Sequence, residues 1–326
     1  MKIPSMTLLA LMASSSVALA YSTGSITSSV GVTCPAGVGN DAYVAGCMEV
    51  VVSCPDANDV TATLRYSASG AAGTIVLYSG SFGAGFYGDK FVTATNDYGR
   101  EIRNTLLDDG YRTFEVKWTG GWKSAMTTNM TEPLSQAACL GATLMDWLFS
   151  FGVNKAPYCA IGHSGGTALL SAAATKYPNA YDDLTAIVVT GGPNNHDIDS
   201  GCRDISSNWE YNASTKSNNY DEIYEVLSGD SDPCTNADAT YSTNFVDDSL
   251  MTNTLAVSTS MSVSIIVGGN DQQAVLTHSD GFRDFLENDK DLTDVDYQVL
   301  SGIGHTVPKS DAGAGLIVDR LLTTCQ

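Results

Sequence analysis

From residue 60 onward, short β-branched runs alternate with apolar segments at helical spacing, and this alternation leaves few architectures open. Val60–Ser67, Thr74–Tyr78, Thr113–Trp118, Tyr158–Ile161, Ala186–Thr190, Ser262–Val267 and Tyr297–Leu300 read as strands. Asp97–Leu107, Pro133–Phe151, Gly165–Lys176, His278–Glu287 and Ala312–Leu322 read as the helices between them. In Pro133–Phe151 the residues Leu134, Ala138, Gly141, Leu144 and Leu148 recur at steps of three and four, tracing one helix face. Ala186–Thr190 and Ser262–Val267 are nearly all apolar, as strands covered on both sides should be. Strand–helix–strand order joins parallel strands, so the chain is expected to be α/β, with a mostly parallel central sheet and helices on both faces.

Two regions break the pattern. Residues 21–58 hold three cysteines and many small residues, and read as a cysteine-containing N-terminal extension to a main domain spanning 59–326. Residues 193–260 are rich in Asn, Asp, Ser, Thr and Tyr and fall between two buried strands. An insertion of this length suggests a lid or cap over a site rather than a plain connection. Trp209, Tyr211, Tyr220 and Tyr224, with Cys202 and Cys234, favour an ordered cap over a disordered excursion.

The first twenty residues belong to another purpose. Lys2, the apolar stretch Met6–Met12 and the ending Ala18-Leu19-Ala20 follow the order of a secretory signal peptide, expected over 1–20. All eight cysteines lie beyond it, and an even count on an exported chain suggests disulfides. Local bridges are plausible: Cys34 with Cys47 or Cys54, and Cys202 with Cys234. No cysteine or histidine cluster has zinc spacing, so neither a metal nor another cofactor is expected. Asn129-Met130-Thr131 and Asn212-Ala213-Ser214 are glycosylation sequons. Thirty-six acidic against sixteen basic residues give a net charge of −20, which repels phosphates and argues against nucleic acid as a partner. The same surface should capture anionic substrates weakly. No later segment is long and apolar enough to predict stable membrane insertion, so a secreted, soluble chain is expected.

The chemistry concentrates in three short motifs. Gly162-His163-Ser164-Gly165-Gly166 matches G-x-S-x-G, after an expected strand and opening an expected helix. Such a bend holds a serine hydroxyl clear of the sheet, at the positive end of the helix. A serine needs a base to take its proton. His163 lies within the bend, His196 opens the insertion and His278 falls in a helix. His305, in a loop after the last strand, is the best base. Asp271, just past the strand Ser262–Val267, is the favoured orienting carboxylate, with Asp280, Asp197, Asp199 and Asp204 as rivals. The Gly-rich loop Ser79–Gly83 follows Thr74–Tyr78 and can turn amides inward, so an oxyanion hole from Ser81 and Gly165 is expected. Phe82, Phe86, Tyr87 and Trp122 could line a substrate pocket, with core packing as the competing role.

The segments Gly162–Gly166, Gly268-Gly269-Asn270-Asp271 and Gly304-His305 resemble the nucleophile, acid and histidine motifs of the α/β-hydrolase superfamily, over roughly residues 58–324. The resemblance implies that fold, with Ser164 as nucleophile, His305 as base and acid, and Asp271 as its partner. Ser79-Gly80 stands where members commonly have His-Gly. The implied reaction is hydrolysis of a carboxylic ester through an acyl-enzyme, on a small-molecule or polymeric ester. Lipid, aryl, acetyl and polyester substrates are all open. A peptidase or amidase, an acyltransferase on the same three residues, and a non-catalytic secreted binding protein are the alternatives.

Overall fold

The computed structural model describes residues 21–326 apart from 36–41, 69, 152–156, 206, 228, 230, 253–256 and 259. The expected signal peptide lies outside the described residues. Nine strands form one sheet: β1 (Ser25–Val32), β2 (Gly46–Ser53), β3 (Val60–Tyr66), β4 (Gly73–Tyr78), β5 (Tyr111–Trp118), β6 (Tyr158–His163), β7 (Ala186–Thr190), β8 (Ser262–Gly268) and β9 (Val295–Leu300). Their order is β1-β2-β3-β5-β4-β6-β7-β8-β9. From β5 to β9 every neighbouring pair is parallel, while β1, β2 and β3 join antiparallel at one edge.

β1 and β2, from the cysteine-containing N-terminal segment, are thus strands of the main sheet. Val50 and Val52 of β2 are buried in the same core as β3, and the Val50-Val51-Val52 run gives the physical reason. β1 is a largely exposed edge strand, rich in serine and threonine, that presents little apolar surface to a neighbour.

Alternation along each inner strand divides the core. On β4, Val76 and Tyr78 face one cluster, with α2 (Pro133–Ser150) and α3 (Gly165–Lys176). Ile75 and Leu77 face the other, with α1 (Tyr98–Asp108) and the C-terminal helix. Helices therefore cover both faces, as parallel strands require. Pro133 opens α2, where its missing N–H costs nothing.

Between β7 and β8 the chain forms short helices, among them α4 (Ile198–Arg203) and α5 (Ser242–Asp248). Tyr211, Tyr220, Ile223, Tyr224 and Phe245 bury their side chains against the core that holds α2 and α3. Cys202–Cys234 ties this insertion internally. The other bridges are Cys34–Cys47, Cys54–Cys139 and Cys159–Cys325. The last two join positions 85 and 166 residues apart, pairings that follow from the fold and not from local spacing. After β8 come α6 (Gln273–Asp284) and, following β9, α7 (Asp311–Thr324).

Asp248 fastens the insertion to the main body. Its carboxylate accepts the N–H groups of Leu134 and Ser135, at 3.1 and 2.8 Å, at the start of α2. It also accepts the Tyr224 hydroxyl at 2.8 Å. Burial outweighs these bonds and raises its pKa to about 6. That lies above the unfolded value of about 3.9, so ionisation opposes folding. The contribution is fully present below about pH 4 and is lost as pH rises through about 6. Wild type should gain stability relative to Asp248→Asn as pH falls from about 8 to about 4. Urea titrations of both proteins check this; a pH-independent gap between them would contradict it.

Candidate active site

The nucleophile bend is built from close approaches that only glycine permits. A Cβ on Gly162 would fall 2.6 Å from the carbonyl oxygen of Gly166, and one on Gly166 would fall 2.6 Å from that of Tyr78. The strand-to-helix turn can therefore pack tightly against β4. Ser164 sits at its apex with φ 51° and ψ −116°, a conformation strained for any residue with a side chain. Its own N–H is held by Thr190 of β7, and the Thr167 hydroxyl bonds the carbonyls of Gly162 and Thr190.

The loops after β8 and β9 are tied to each other. Gly269 N–H bonds Leu300 O and Asn270 N–H bonds Ile303 O, both at 2.8 Å. A Cβ on Gly268 would lie 2.2 Å from Gly304 O, so glycine is what lets these loops touch. Asp271 and His305 are brought together by this seam. His305 Nδ1 lies 3.0 Å from Asp271 Oδ2, and His305 Nε2 lies 2.9 Å from Ser164 Oγ. The second carboxylate oxygen, Asp271 Oδ1, accepts Gln272 N–H at 2.7 Å. The Asp271 side chain is 1% exposed and that of His305 38%, so the acid is sealed while the imidazole meets solvent.

A carboxylate bonded to one imidazole nitrogen places the proton there and leaves the other nitrogen free to accept the serine hydroxyl. The rival carboxylates are placed otherwise. Asp197 caps α4, Asp199 pairs with Arg203, and Asp280 pairs with Arg283. Asp204 follows α4 as its C-terminal flanking residue. His163 is buried, bonded to the Thr190 hydroxyl at 3.0 Å, with its ring 5.5 Å from that of His305. Burial, followed by the nearby His305, lowers its pKa to about 3, so it stays neutral beneath the site. His278 is also buried, its pKa lowered to about 4 by desolvation, and it bonds the Trp209 carbonyl inside the insertion.

The loop after β4 turns sharply, with φ 53° at Ser81 and 56° at Phe82. A Cβ on Gly165 would lie 2.8 Å from Phe82 N and 3.3 Å from Ser81 N, so both amide nitrogens lie beside the start of α3. Among the described residues the N–H groups of Ser81, Phe82 and Gly165 find no carbonyl acceptor. The sequence does not reveal the Phe82 amide nitrogen at this point, because its position depends on two consecutive left-handed residues, neither of them glycine.

Two spaces flank this point. An open cleft of about 440 Å³ is lined by Ser81, Ser164 and His305, and also by Asp89, Lys90, Phe91, Val92 and Lys309. A small, partly enclosed and mainly apolar space of about 10 Å³ at Gly165 is lined by Phe82, Trp122, Pro193, Asn219, Tyr220 and Ile223. Phe82 and Trp122 meet edge to face at 4.8 Å there. Phe86 and Tyr87, expected as pocket residues, line neither space. A short 3₁₀ turn over Tyr87–Asp89 sends both into the core. Phe86 lies under the Arg65 guanidinium at 4.5 Å, and Tyr87 packs on Phe91 at 4.9 Å. Asp89 to Val92 and Lys309 were missed; closeness in sequence to the β4 loop and to His305 is the one signal that pointed to them. The sequon residues Asn129 and Asn212 are exposed. No metal-binding cluster occurs among the described residues, and none of their helices is long and apolar enough to cross a membrane.

No family model matches the chain, and no curated protein matches it in sequence. Solved structures do. The Pyrococcus furiosus esterase Pf2001 superposes with a TM-score of 0.51 at 13% identity, over 85% of this chain and 92% of that one. Carboxyl esterase 2 of Tuber melanosporum gives 0.52 at 16% identity, over 88% and 90%. A puromycin-hydrolysing peptidase of Mycobacterium tuberculosis gives 0.53 at 16% identity, over 88% of this chain but 39% of that one. At such identities the likeness speaks for architecture alone, and with the strand order and parallel pairing above it settles that architecture: the chain has the α/β-hydrolase fold.

Proposed function

We propose that this chain is a secreted serine hydrolase that cleaves a carboxylic ester through an acyl-enzyme. The observation that carries the reading is the continuous relay Ser164 Oγ–His305 Nε2–Asp271, with links of 2.9 and 3.0 Å. Esterase neighbours, the paired cysteines and the N-terminal leader signature support it.

In the first half-reaction His305 Nε2 takes the Ser164 proton as Oγ bonds the ester carbonyl carbon. The carbonyl oxygen becomes an oxyanion held by the amides of Gly165, Ser81 and Phe82. When the intermediate collapses, the carbon–alcohol bond breaks and His305 returns the proton to the leaving oxygen. Water then repeats the sequence: His305 takes its proton, the hydroxide bonds the acyl carbon, and Ser164 leaves reprotonated. The leaving group must lie beside the imidazole that protonates it, so it occupies the open cleft that His305 lines. The acyl group is assigned the other side, where the space lined by Phe82, Trp122 and Ile223 measures only about 10 Å³, so no acyl group larger than acetyl is expected to enter unless side chains move.

A fluorophosphonate probe tests this. Wild type should label and should turn over p-nitrophenyl acetate, and Ser164→Ala should lose both. Absence of labelling and turnover in folded wild type would refute the reading. Asn129 and Asn212 are the proposed glycan sites, placed on the surface as an attached sugar requires.

A further inference from the structure

The charge of this chain and the charge of its cleft are at odds. With 36 acidic and 16 basic residues, every cation has a surplus of anions to pair with. Nearly all of those among the described residues find a partner. Arg65 and Arg103 bond Glu115, Lys123 bonds Glu222, Lys216 bonds Glu210, and Arg320 bonds Asp296. Arg100, Arg203 and Arg283 also pair with carboxylates, and Lys176 bonds the Asp247 carbonyl. Arg112, Lys117 and Lys290 lie over aromatic rings. Among the described residues, Lys90 and Lys309 are the cations whose side chains meet no carboxylate, carbonyl or ring, and both line the cleft beside Ser164 and His305.

The carboxylate in the cleft wall is already engaged. Asp89 lies 3.0 Å from Arg65 and 3.7 Å from Arg100. Lys90 carries its ammonium beside Gly85 of the loop after β4 and Lys309 is exposed, so both charges are left to turn toward whatever enters. Two unpaired cations at one mouth, on a surface that otherwise repels anions, make a local site for negative charge.

We infer that Lys90 and Lys309 bind an anionic group on the leaving alcohol of the substrate. The inference rests on the ester-hydrolase reading above, because it is the leaving group that must sit on the His305 side. The net charge of −20 predicts weak capture of anionic substrates; the cleft reverses that prediction locally. The overall field also repels an anionic alcohol once it is cut free and out of the cleft.

The test compares two acetates of matched shape, 3-carboxyphenyl acetate and its neutral isostere 3-carbamoylphenyl acetate, each corrected for its rate in buffer. The readout is the ratio of their kcat/KM values. In wild type the carboxylate should be preferred by about 10- to 100-fold at low salt, the range of a hydrogen-bonded charge contact. The preference should shrink as salt rises. In Lys90→Gln/Lys309→Gln the ratio should fall to about one, and in Lys90→Arg/Lys309→Arg it should recover most of its value. A wild-type ratio near or below one, or a ratio untouched in the glutamine variant, overturns the inference while turnover of the carbamoyl ester leaves the hydrolase reading standing. Failure of both esters together with failure of Ser164 to label removes the reading and the inference with it.

Discussion

Asp271→Asn is expected to lower kcat by about 10⁴-fold while leaving the fold and its melting temperature in place. The size of the effect follows from how both oxygens of Asp271 are used. Oδ1 accepts the Gln272 N–H at 2.7 Å, and Oδ2 faces His305 Nδ1 at 3.0 Å. An asparagine must keep its oxygen toward Gln272, since turning its NH₂ there would set two donors against each other. The amide NH₂ then faces His305 Nδ1 and donates to it. That fixes the proton on Nε2, so the imidazole donates toward Ser164 instead of accepting from it. A loss of about 10⁴ corresponds to roughly 5.5 kcal/mol of transition-state stabilisation. Steady-state kinetics on an acetate ester, with thermal unfolding of both proteins, checks the expectation. A variant within tenfold of wild type would mean that another carboxylate orients His305.

Much of this arrangement is legible in the text of the chain because it is local. Gly165–Lys176 and Ala186–Thr190 are helix and strand over those same residues, since the glycine-rich bend, the alanine run and the β-branched run each fix one conformation. The βα alternation then dictates the parallel sheet. What escaped depends on tertiary contact. β1 is polar and small, with no apolar period to betray it, and it exists because β2 offers it an edge. α6 begins at Gln273, five residues before the expected start, with a glutamine before it that makes no side-chain cap. The partners of Cys54 and Cys159 lie across the fold. Phe86 and Tyr87 follow the β4 loop closely enough to suggest a pocket, yet an arginine buried on β3 claims Phe86 for the interior. The backbone turn that buries these rings also carries Asp89 and Lys90 to the cleft, so one local event accounts for both the wrong expectation and the missing residues.

That buried arginine leads to the largest effect expected on stability. Arg65 and Glu115 stand opposite each other on β3 and β5. Arg65 Nε and Nη2 bond the two carboxylate oxygens at 2.6 and 2.8 Å. Arg103 of α1 reaches the same carboxylate at 3.3 Å, and Gly88 donates its N–H to it. Arg65 and Glu115 are each 1% exposed. Glu115→Ala would leave Arg65 with Asp89 alone and take the carboxylate from Arg103, in an interior where neither can lose its charge, a situation that costs about 3–5 kcal/mol. For a domain of this size the melting temperature should fall by about 5–8 °C. The cost lies in the poorly compensated buried charge more than in the lost bonds, and this yields a sharper expectation. Replacing all three residues, as Arg65→Met, Glu115→Leu and Arg103→Met, should destabilise less than Glu115→Ala alone, because no naked ion is then left inside. Thermal unfolding of the single and triple variants decides it. A triple variant weaker than the single one would show that the ion cluster stabilises the fold in its own right. Function is coupled to the same cluster, since Arg65 also holds Asp89 in the cleft wall at 3.0 Å. Glu115→Ala should therefore raise KM for the carboxylate-bearing ester through the loosened wall, while the Ser164–His305–Asp271 relay, which shares no bond with the cluster, keeps its geometry.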